Sequence, residues 1–489
     1  MNDAADGATI DPARWHPRLH FVPPRHWMND PNGLVRCGDA WRLYFQYADD
    51  PPDYRRVHWG TATSPDLLRW RFEGIALEGT RELCRYSGSV LPPATRDGEP
   101  VAFHTAHRST AAGERRQTQE IAYGRDRGRV LVPGATTLID ERLADFRDPY
   151  VFAHDGGLAM VVAEPVGWSA WATGARSRLA IYRGDAAEHW TRTGELGPWD
   201  APAVMWEVPW LAPVALPGRE PGWVLALSTV DRTGDGVRCG TRYWLGDFDG
   251  ASFRVLPGTG PQTLDHGPDY YAPIPEADAR ALAPGAAFLT TAWVGNWAYA
   301  RRLPVSPWAG GPLALPRRVD VVATPRGPRL RQRLLPELES LAAAPAVEGA
   351  EHVGTTPRAP ALPDAPFLLD LHWELLGAEA ATLTLFGGAV TVALEESGAS
   401  ISLERGDQPT GLGLAGRWRA ERPAPSPDAH LRIVVDRCVV AVYADDGRVP
   451  FTALVLARGE PAEARLAARG GHARARWRAL PLRPIVEVA

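Results

Sequence analysis

All-β is the fold class this sequence predicts, as a five-bladed β-propeller followed by a C-terminal β-sandwich. Three observations point there. Gly (48) and Pro (46) together supply about a fifth of the 489 residues. That content favours short strands joined by turns over long helices. Strand-like runs recur, as in WRLYFQY (41–47), AMVVA (159–163), WVLALST (223–229) and LRIVVDRCVVAVY (431–443). DG, GD, PG and GG turn signals separate them. The third observation is a weak repeat whose copies start at Trp59, Ile121, Leu179, Tyr243 and Trp297, a spacing near 60 residues.

Each copy reads as a strand, a short turn that often carries Asp and Gly, and a second strand beginning near an aromatic. Examples are WGTATSPDLLRW (59–70), LAIYRGDAAEHW (179–190) and YWLGDFDGASF (243–253). The period is too long for one hairpin and suits a four-stranded antiparallel blade. Five such units fill residues 15–325. The composition then changes. LLPELESLAAAP (334–345) reads as a short helix or connector, and the Ala- and Pro-rich residues 344–366 read as a linker. Beyond Phe367, FLLDLHWELL and TLTLFGGAVTVALE alternate in the manner of a sandwich. The expected boundaries are 1–335 for the propeller, 336–366 for the linker and 367–489 for the sandwich.

Composition excludes several classes. The 53 basic and 58 acidic residues give a net charge of −5, whereas nucleic-acid binders carry a basic excess. The Arg-rich stretch ARARWRALPLR (473–483) reads as the exposed face of a last strand. The chain has no Lys, so Schiff-base chemistry and a P-loop Lys are excluded. Cys37, Cys84, Cys239 and Cys438 are far apart and form no C-x-x-C, so neither a zinc cluster nor a redox motif is indicated. Sparse cysteines suit a reducing compartment. The N-terminus, MNDAADGATIDPARW, lacks the basic and apolar regions of a signal peptide, and no apolar run of about 18 residues exists. The expectation is a cytoplasmic protein with no nucleic-acid or membrane partner. The sequence does not fix its oligomeric state.

The motifs narrow the chemistry. H-E-x-x-H and G-x-S-x-G are absent. GLGLAG (411–416) matches G-x-G-x-x-G, but the Pro-rich RWRAERPAPSP after it suits no helix, so it reads as a loop. His16 and His20 read as packing or hydrogen-bonding residues rather than a metal site. Three carboxylates then stand out: Asp30 in WMNDPNGL, Asp148 in FRDPY and Glu207 in MWEVPW. Each lies near an aromatic, and each is followed within two residues by a Pro that restricts the backbone. Their separations, 118 and 59 residues, are close to two periods and one period of the repeat. In a propeller such positions converge on the axis. Read singly, Asp30 also fits a turn, Asp148 an ion pair with Arg147, and Glu207 a satisfied buried acid. Read together, they fit glycoside hydrolysis, which uses two carboxylates across the scissile bond.

WMNDPNGL, FRDPY and MWEVPW, in that order, resemble glycoside hydrolase family 32, the invertases, fructan β-fructosidases and relatives. HPRLHFVPPRHWMNDPNG (16–33), YFQY (44–47), HWGTATSPDLLRW (58–70) and YSGSV (86–90) continue the likeness. So do QEIAY (119–123), LDHGPDYYAP (264–273), AWVGNWAY (292–299) and LPR (315–317), and LRIVVDRCVVAVYADDGR (431–448) resembles the family's sandwich motif. The resemblance implies a five-bladed propeller plus sandwich. It implies a retaining β-fructofuranosidase that releases terminal fructose from sucrose or fructo-oligosaccharides. Asp30 would be the nucleophile, Glu207 the general acid and base, and Asp148 the stabiliser of the transition state. Asp30 would have to be ionised, while desolvation and two negative neighbours would keep a proton on Glu207. Asn29, Gln46, Trp59, Tyr86, Ser87, Arg147, Tyr271 and Trp293 would line the fructose subsite. For the aromatic residues, propeller core is the competing reading. No metal or organic cofactor is implied.

Two departures from the family pattern appear. Val208 stands where the family usually has Cys. Tyr54, in the loop ADDPPDYRR (48–56), stands where it commonly has Trp. A fructosyltransferase, an exo-fructanase on levan or inulin, and a non-catalytic fructan-binding module remain open. An arabinofuranosidase on a similar propeller fits the motifs less well.

Overall fold

Residues 12–50, 54–94, 98–110, 112–170, 174, 176–197, 204–233, 236–277 and 287–486 are described by the structure, a computed structural model. The strands of residues 26–334 fall into five sheets in chain order. Their opening strands are His26–Cys37, Leu83–Leu91, Arg147–His154, Met205–Val214 and Tyr271–Pro275. Each opening strand lies against the opening strand of the next sheet, and the fifth lies against the first. This closed ring is a β-propeller. Trp308–Gly310, from a long connection in the fifth sheet, pairs in parallel with His26–Met28 and ties the end of the ring to its start.

Position in the ring explains the burial. His26–Cys37 is covered on both faces and is almost wholly buried. The outermost strand His189–Leu196 alternates exposed and half-buried residues, as a strand with one wet face does. Four copies of the sequence repeat fall on the third strand of a sheet. Trp59 lies in Val57–Ser64, Ile121 in Arg115–Arg125, Leu179 in Ser177–Ala186 and Tyr243 in Gly236–Phe248. The fifth, Trp297, lies in the connection between Phe288–Trp293 and Arg317–Val322. Its WAYARR run belongs to a 3₁₀ turn, Ala300–Arg302, and not to a strand.

The C-terminal part is a sandwich of a six-stranded and a five-stranded antiparallel sheet. Within the stretch read as a linker, Pro336–Leu341 is a 3₁₀ turn. Val347–Val353 pairs with His472–Pro481 as an edge strand of the six-stranded sheet. GLGLAG leads into the strand Gly416–Glu421. In His472–Pro481 the alanines and Trp477 face the core while Arg474, Arg476 and Arg478 face outward.

Buried charges join the two parts. Asp436 accepts from the N–H groups of Arg18 and Leu19 and from His20 Nδ1, each at 2.9 Å. His20 therefore serves the domain contact, while the His16 ring meets its own neighbour, Pro17 O, at 3.0 Å. Asp265 accepts from Arg317 Nη1 at 2.9 Å, and from Thr452 of the sandwich through both N–H and Oγ1 at 2.9 Å. Asp269 accepts from Arg405 Nη1 at 2.8 Å and from Leu454 N–H at 2.7 Å. Removing one partner of such a buried pair strands the other charge. Arg317→Ala should therefore cost about 3–5 kcal/mol. Calorimetry should show a lower unfolding midpoint, and Arg317→Met with Asp265→Leu should restore part of the loss.

Candidate active site

Each opening strand of the propeller breaks its ladder at one place, and the break carries the site. Register shifts lie between Met28 and Gly33, between Tyr86 and Gly88, between Arg147 and Tyr150, between Glu207 and Trp210, and between Tyr271 and Ile274. Four of these bulges contain a proline: Pro31, Pro149, Pro209 and Pro273. Proline has no N–H to give the ladder, so the register breaks at or beside it. The second strand uses Gly88 instead, where a Cβ would lie 2.0 Å from Phe103 O. A bulge re-aims the side chain beside it. Here it turns Asp30, Ser87, Asp148, Glu207 and Tyr271 toward one place.

Three of the bulges also hold non-glycine residues at positive φ: Asp148 (64°), Val208 (47°) and Ala272 (49°). Each strained residue donates its N–H to a side chain of the preceding sheet. Asp148 N–H meets Thr105 Oγ1 at 2.8 Å, Val208 N–H meets Asp148 Oδ2 at 2.9 Å, and Ala272 N–H meets Ser228 Oγ at 2.9 Å. Val208, the departure from the family's Cys, thus contributes its backbone to the site.

A cavity of about 470 Å³ results. Asp30, Gln46, Tyr86, Ser87, Arg147, Asp148 and Glu207 line it, as the sequence led us to expect. Tyr271 lies behind the wall and donates its hydroxyl to Glu207 Oε2 at 2.6 Å. Arg147 donates to Glu207 Oε1 at 3.0 Å and to Asp145 Oδ1 at 2.6 Å. Ser87 Oγ donates to Asp30 Oδ2 at 3.1 Å. Gln46 Nε2 donates to Arg85 O at 2.9 Å, and Gln46 Oε1 accepts from the Tyr54 hydroxyl at 3.2 Å. Asn29 is buried beside Asp30 and accepts from Trp27 Nε1 at 2.7 Å.

Four expected residues do not line the cavity: Asn29 and Tyr271, which bond to or lie beside its carboxylates, and the two tryptophans Trp59 and Trp293. Trp59 and Trp293 are fully buried. Trp59 packs on Tyr44 and His104 and donates to Tyr86 O at 3.0 Å. Trp293 packs edge-on behind Tyr271 and against Trp297. Their size and the apolar surroundings assign them to the core, one layer behind the wall. Tyr54, from the loop that departs from the family pattern and that the sequence places at the pocket mouth, lines the cavity; sequence reasoning missed His107, Arg115, Gln117, Val230, Val237, Trp297 and Arg301. Trp297 stands in AWVGNWAY and was visible as an aromatic, but was placed in a strand of the fifth repeat. The central part of the loop 48–56, residues 51–53, lies outside the described residues.

Electrostatics follow from burial. Asp30 is pushed up to about 7 by burial and then by the charge of Glu207, with Asn29 and Ser87 pulling the other way. Burial and Glu207 raise Asp148 as well, against the pull of Arg147 and the Val208 N–H. Burial works against the charge of Arg147, but Asp145, Glu207 and Asp148 outweigh it, so the guanidinium is fixed as a cation. Burial and Glu207 hold the Tyr271 phenol well above its ordinary value, so it remains a donor. The sequence led us to expect the proton on Glu207 and the charge on Asp30. In this arrangement burial and the neighbouring Glu207 raise both aspartates, so the charge expected on Asp30 is disfavoured there.

Stability should record this. A carboxyl with a raised pKa costs the fold nothing below its ordinary value of 3.8. The cost grows as pH rises from there to the raised value near 7 and is full above it. Asp30→Asn should therefore melt higher than the parent at pH 8, and this gain should disappear at pH 4. Thermal unfolding at the two pH values checks it.

Known proteins share this frame. Residues 20–333 match the glycosyl hydrolases family 32 N-terminal domain, and residues 366–480 match the glycosyl hydrolases family 32 C-terminal domain. A levanase of Bacillus subtilis is 31% identical over 358 residues, covering 69% of this chain and 49% of the levanase. An extracellular exo-inulinase of Aspergillus awamori is 27% identical over 93% of this chain and 92% of its own length. The crystal structure of exo-inulinase from Aspergillus awamori superposes with a TM-score of 0.81 at 24% identity, over 96% of this chain and 98% of that one. With both domain models matched, in order, the chain belongs to glycosyl hydrolase family 32.

Proposed function

We propose that the pocket releases terminal β-D-fructofuranosyl units from sucrose and fructo-oligosaccharides by double displacement, with retention at C2. The observation that carries this is the meeting of Asp30, Asp148 and Glu207 in one cavity, from three different sheets, with Arg147 bonded to Glu207. The names of the relatives, levanase and exo-inulinase, extend the candidate substrates to the chain ends of fructans.

In the first step a carboxylate oxygen of Asp30 attacks C2, and the bond from C2 to the leaving oxygen breaks. Glu207 gives its proton to that oxygen. In the second step Glu207 takes a proton from water, the water oxygen attacks C2, and the ester to Asp30 breaks. Asp148 faces the developing positive charge and does not bond to the sugar. Fructose hydroxyls that donate to Asp30 and Asp148 favour the ionised form of both and so oppose the rise that burial gives them. Ser87 fixes one Asp30 oxygen at 3.1 Å, and the Val208 N–H fixes one Asp148 oxygen at 2.9 Å.

Incubation with sucrose, 1-kestose, inulin and levan, with products followed by chromatography, tests the reading. Free fructose should appear with the parent protein. Glu207→Ala should reduce the rate about 10²–10⁴-fold, the usual worth of a positioned acid and base. Asp30→Ala should reduce it at least as much. Longer oligosaccharides in place of fructose would assign transfer to a sugar hydroxyl. Sugar binding without turnover of any substrate would leave only a fructan-binding protein.

A further inference from the structure

Arg147 gives its hydrogens to three side chains, and one of them differs in kind. Its Nη1 meets Glu207 at 3.0 Å and its Nη2 meets Asp145 at 2.6 Å. Both partners are carboxylates, and Glu207 must gain and lose a proton in each turnover. The Nε of Arg147 meets Gln117 Oε1 at 3.2 Å. Gln117 is fully buried. Its amide carries no charge, so its hold on Arg147 does not change when Glu207 changes protonation state.

Neighbours orient that amide. Arg147 Nε can only donate, so the Gln117 oxygen faces it. The Gln117 nitrogen then faces His107 Nδ1, at 3.1 Å, and donates to it. Cross-strand register sets His107 opposite Gln117. The His107 ring is stacked on Tyr86, with centroids 4.6 Å apart and planes 6° apart, and the Arg147 guanidinium lies 5.9 Å from the Tyr86 ring centre. Arg147, Gln117, His107 and Tyr86 thus close a ring of contacts. Burial and then the charges of Arg147 and Arg115 bring His107 down to about 4, so Nδ1 stays free to accept.

Two held nitrogens leave a guanidinium a hinge, and a third removes it. With a proton on Glu207 the attraction at Nη1 falls, while the charge of Asp148 still pulls on Arg147. Gln117 opposes that swing. We propose that Gln117 is a positioning residue for the acid and base step, a charge-neutral anchor that keeps Arg147 on Glu207 through both protonation states. The proposal rests on the β-fructofuranosidase reading, which gives Glu207 that step.

Glu207 is faced by Arg147 and Asp148, by Asp30, by Tyr271 and by the Cys239 thiol. Position 117 is faced by Arg147 and His107, and Arg115 shares its stretch of cavity wall. Two variants of the full chain test the role, with rates measured from about pH 4 to about pH 9 on the fructoside that the parent cleaves fastest. Gln117→Leu keeps the bulk and removes the acceptor. Its kcat should fall about tenfold or more while KM changes less, because a displaced catalytic group costs rate. Gln117→Glu keeps the acceptor and adds a charge. Its kcat at its own optimum should stay nearer the parent's. The alkaline limb of its kcat/KM profile, which marks loss of the proton from the acid, should move up by about one pH unit, since a negative neighbour favours a protonated carboxyl. A kcat in Gln117→Leu equal to the parent's would overturn the proposal and leave the enzyme reading intact. So would a Gln117→Glu profile that superposes on the parent's. If thermal unfolding shows that Gln117→Leu does not fold, the Gln117→Glu profile decides alone. If the parent turns over no fructoside, the enzyme reading fails and the proposal falls with it.

Discussion

The pocket depends on one backbone device: an N–H turned out of its own sheet and given to the sheet before it. Asp148, Val208 and Ala272 each do this at positive φ, onto Thr105, Asp148 and Ser228. Such a conformation costs about 1–3 kcal/mol per residue, and most for a β-branched residue like Val208. The bond from Val208 N–H to Asp148 Oδ2 offsets part of the strain at Val208. The consequence is geometric. A sheet whose opening strand is latched to its neighbour cannot slide along it without breaking the latch. The side chains at the bulges are therefore held relative to one another, although they come from different sheets.

The sandwich takes part in the same restraint. The run from Asp265 to Asp269 leads into Tyr271, and it is fastened to the sandwich strand Val449–Leu454 along its length. His266 N–H donates to Pro450 O at 2.8 Å, Asp269 N–H to Thr452 O at 3.1 Å, and Gly267 lies so close that a Cβ would meet Thr452 N and O near 2.3 Å. Arg405 and Leu454 hold the Asp269 carboxylate from the sandwich side, while Tyr299 holds it from the propeller side. Burial raises Asp269 to about 6, with Arg405 and the Leu454 N–H opposing the rise. Two residues beyond this anchor, Tyr271 donates to Glu207. The sandwich therefore reaches Glu207 through a short, buried path of charged and backbone bonds.

How much of this was legible in the sequence depended on what each residue's type can report. The three carboxylates were legible because the proline beside each marks a broken ladder, and because a regular period separates them. The β-sandwich and the propeller were legible because turn-rich, alternating runs have few other uses. Trp59 and Trp293 were misplaced because bulkiness suits a cavity wall and the layer behind it equally well. A bulge also shifts the face to which every following residue points. The fifth copy of the repeat was misread because Trp297 imitates a strand start while serving the pocket. His107, Gln117 and Arg115 left no local signal. Their partnership arises from cross-strand register, which pairs His107 with Gln117 ten residues away, and from a neighbouring sheet that supplies Arg147.

That register joins the two ends of the pocket. Arg147 gives one nitrogen to Glu207, one to Asp145 and one to Gln117, and Gln117 passes its other face to His107. Asp145 is itself held by Ser169. The guanidinium plane cannot rotate to follow one partner without releasing the others, so it behaves as a fixed bracket between floor and rim. The chain His107–Gln117–Arg147–Glu207 is therefore continuous from the rim of the cavity to its floor. An Arg is suited to that task because a Lys would offer one nitrogen to the three partners.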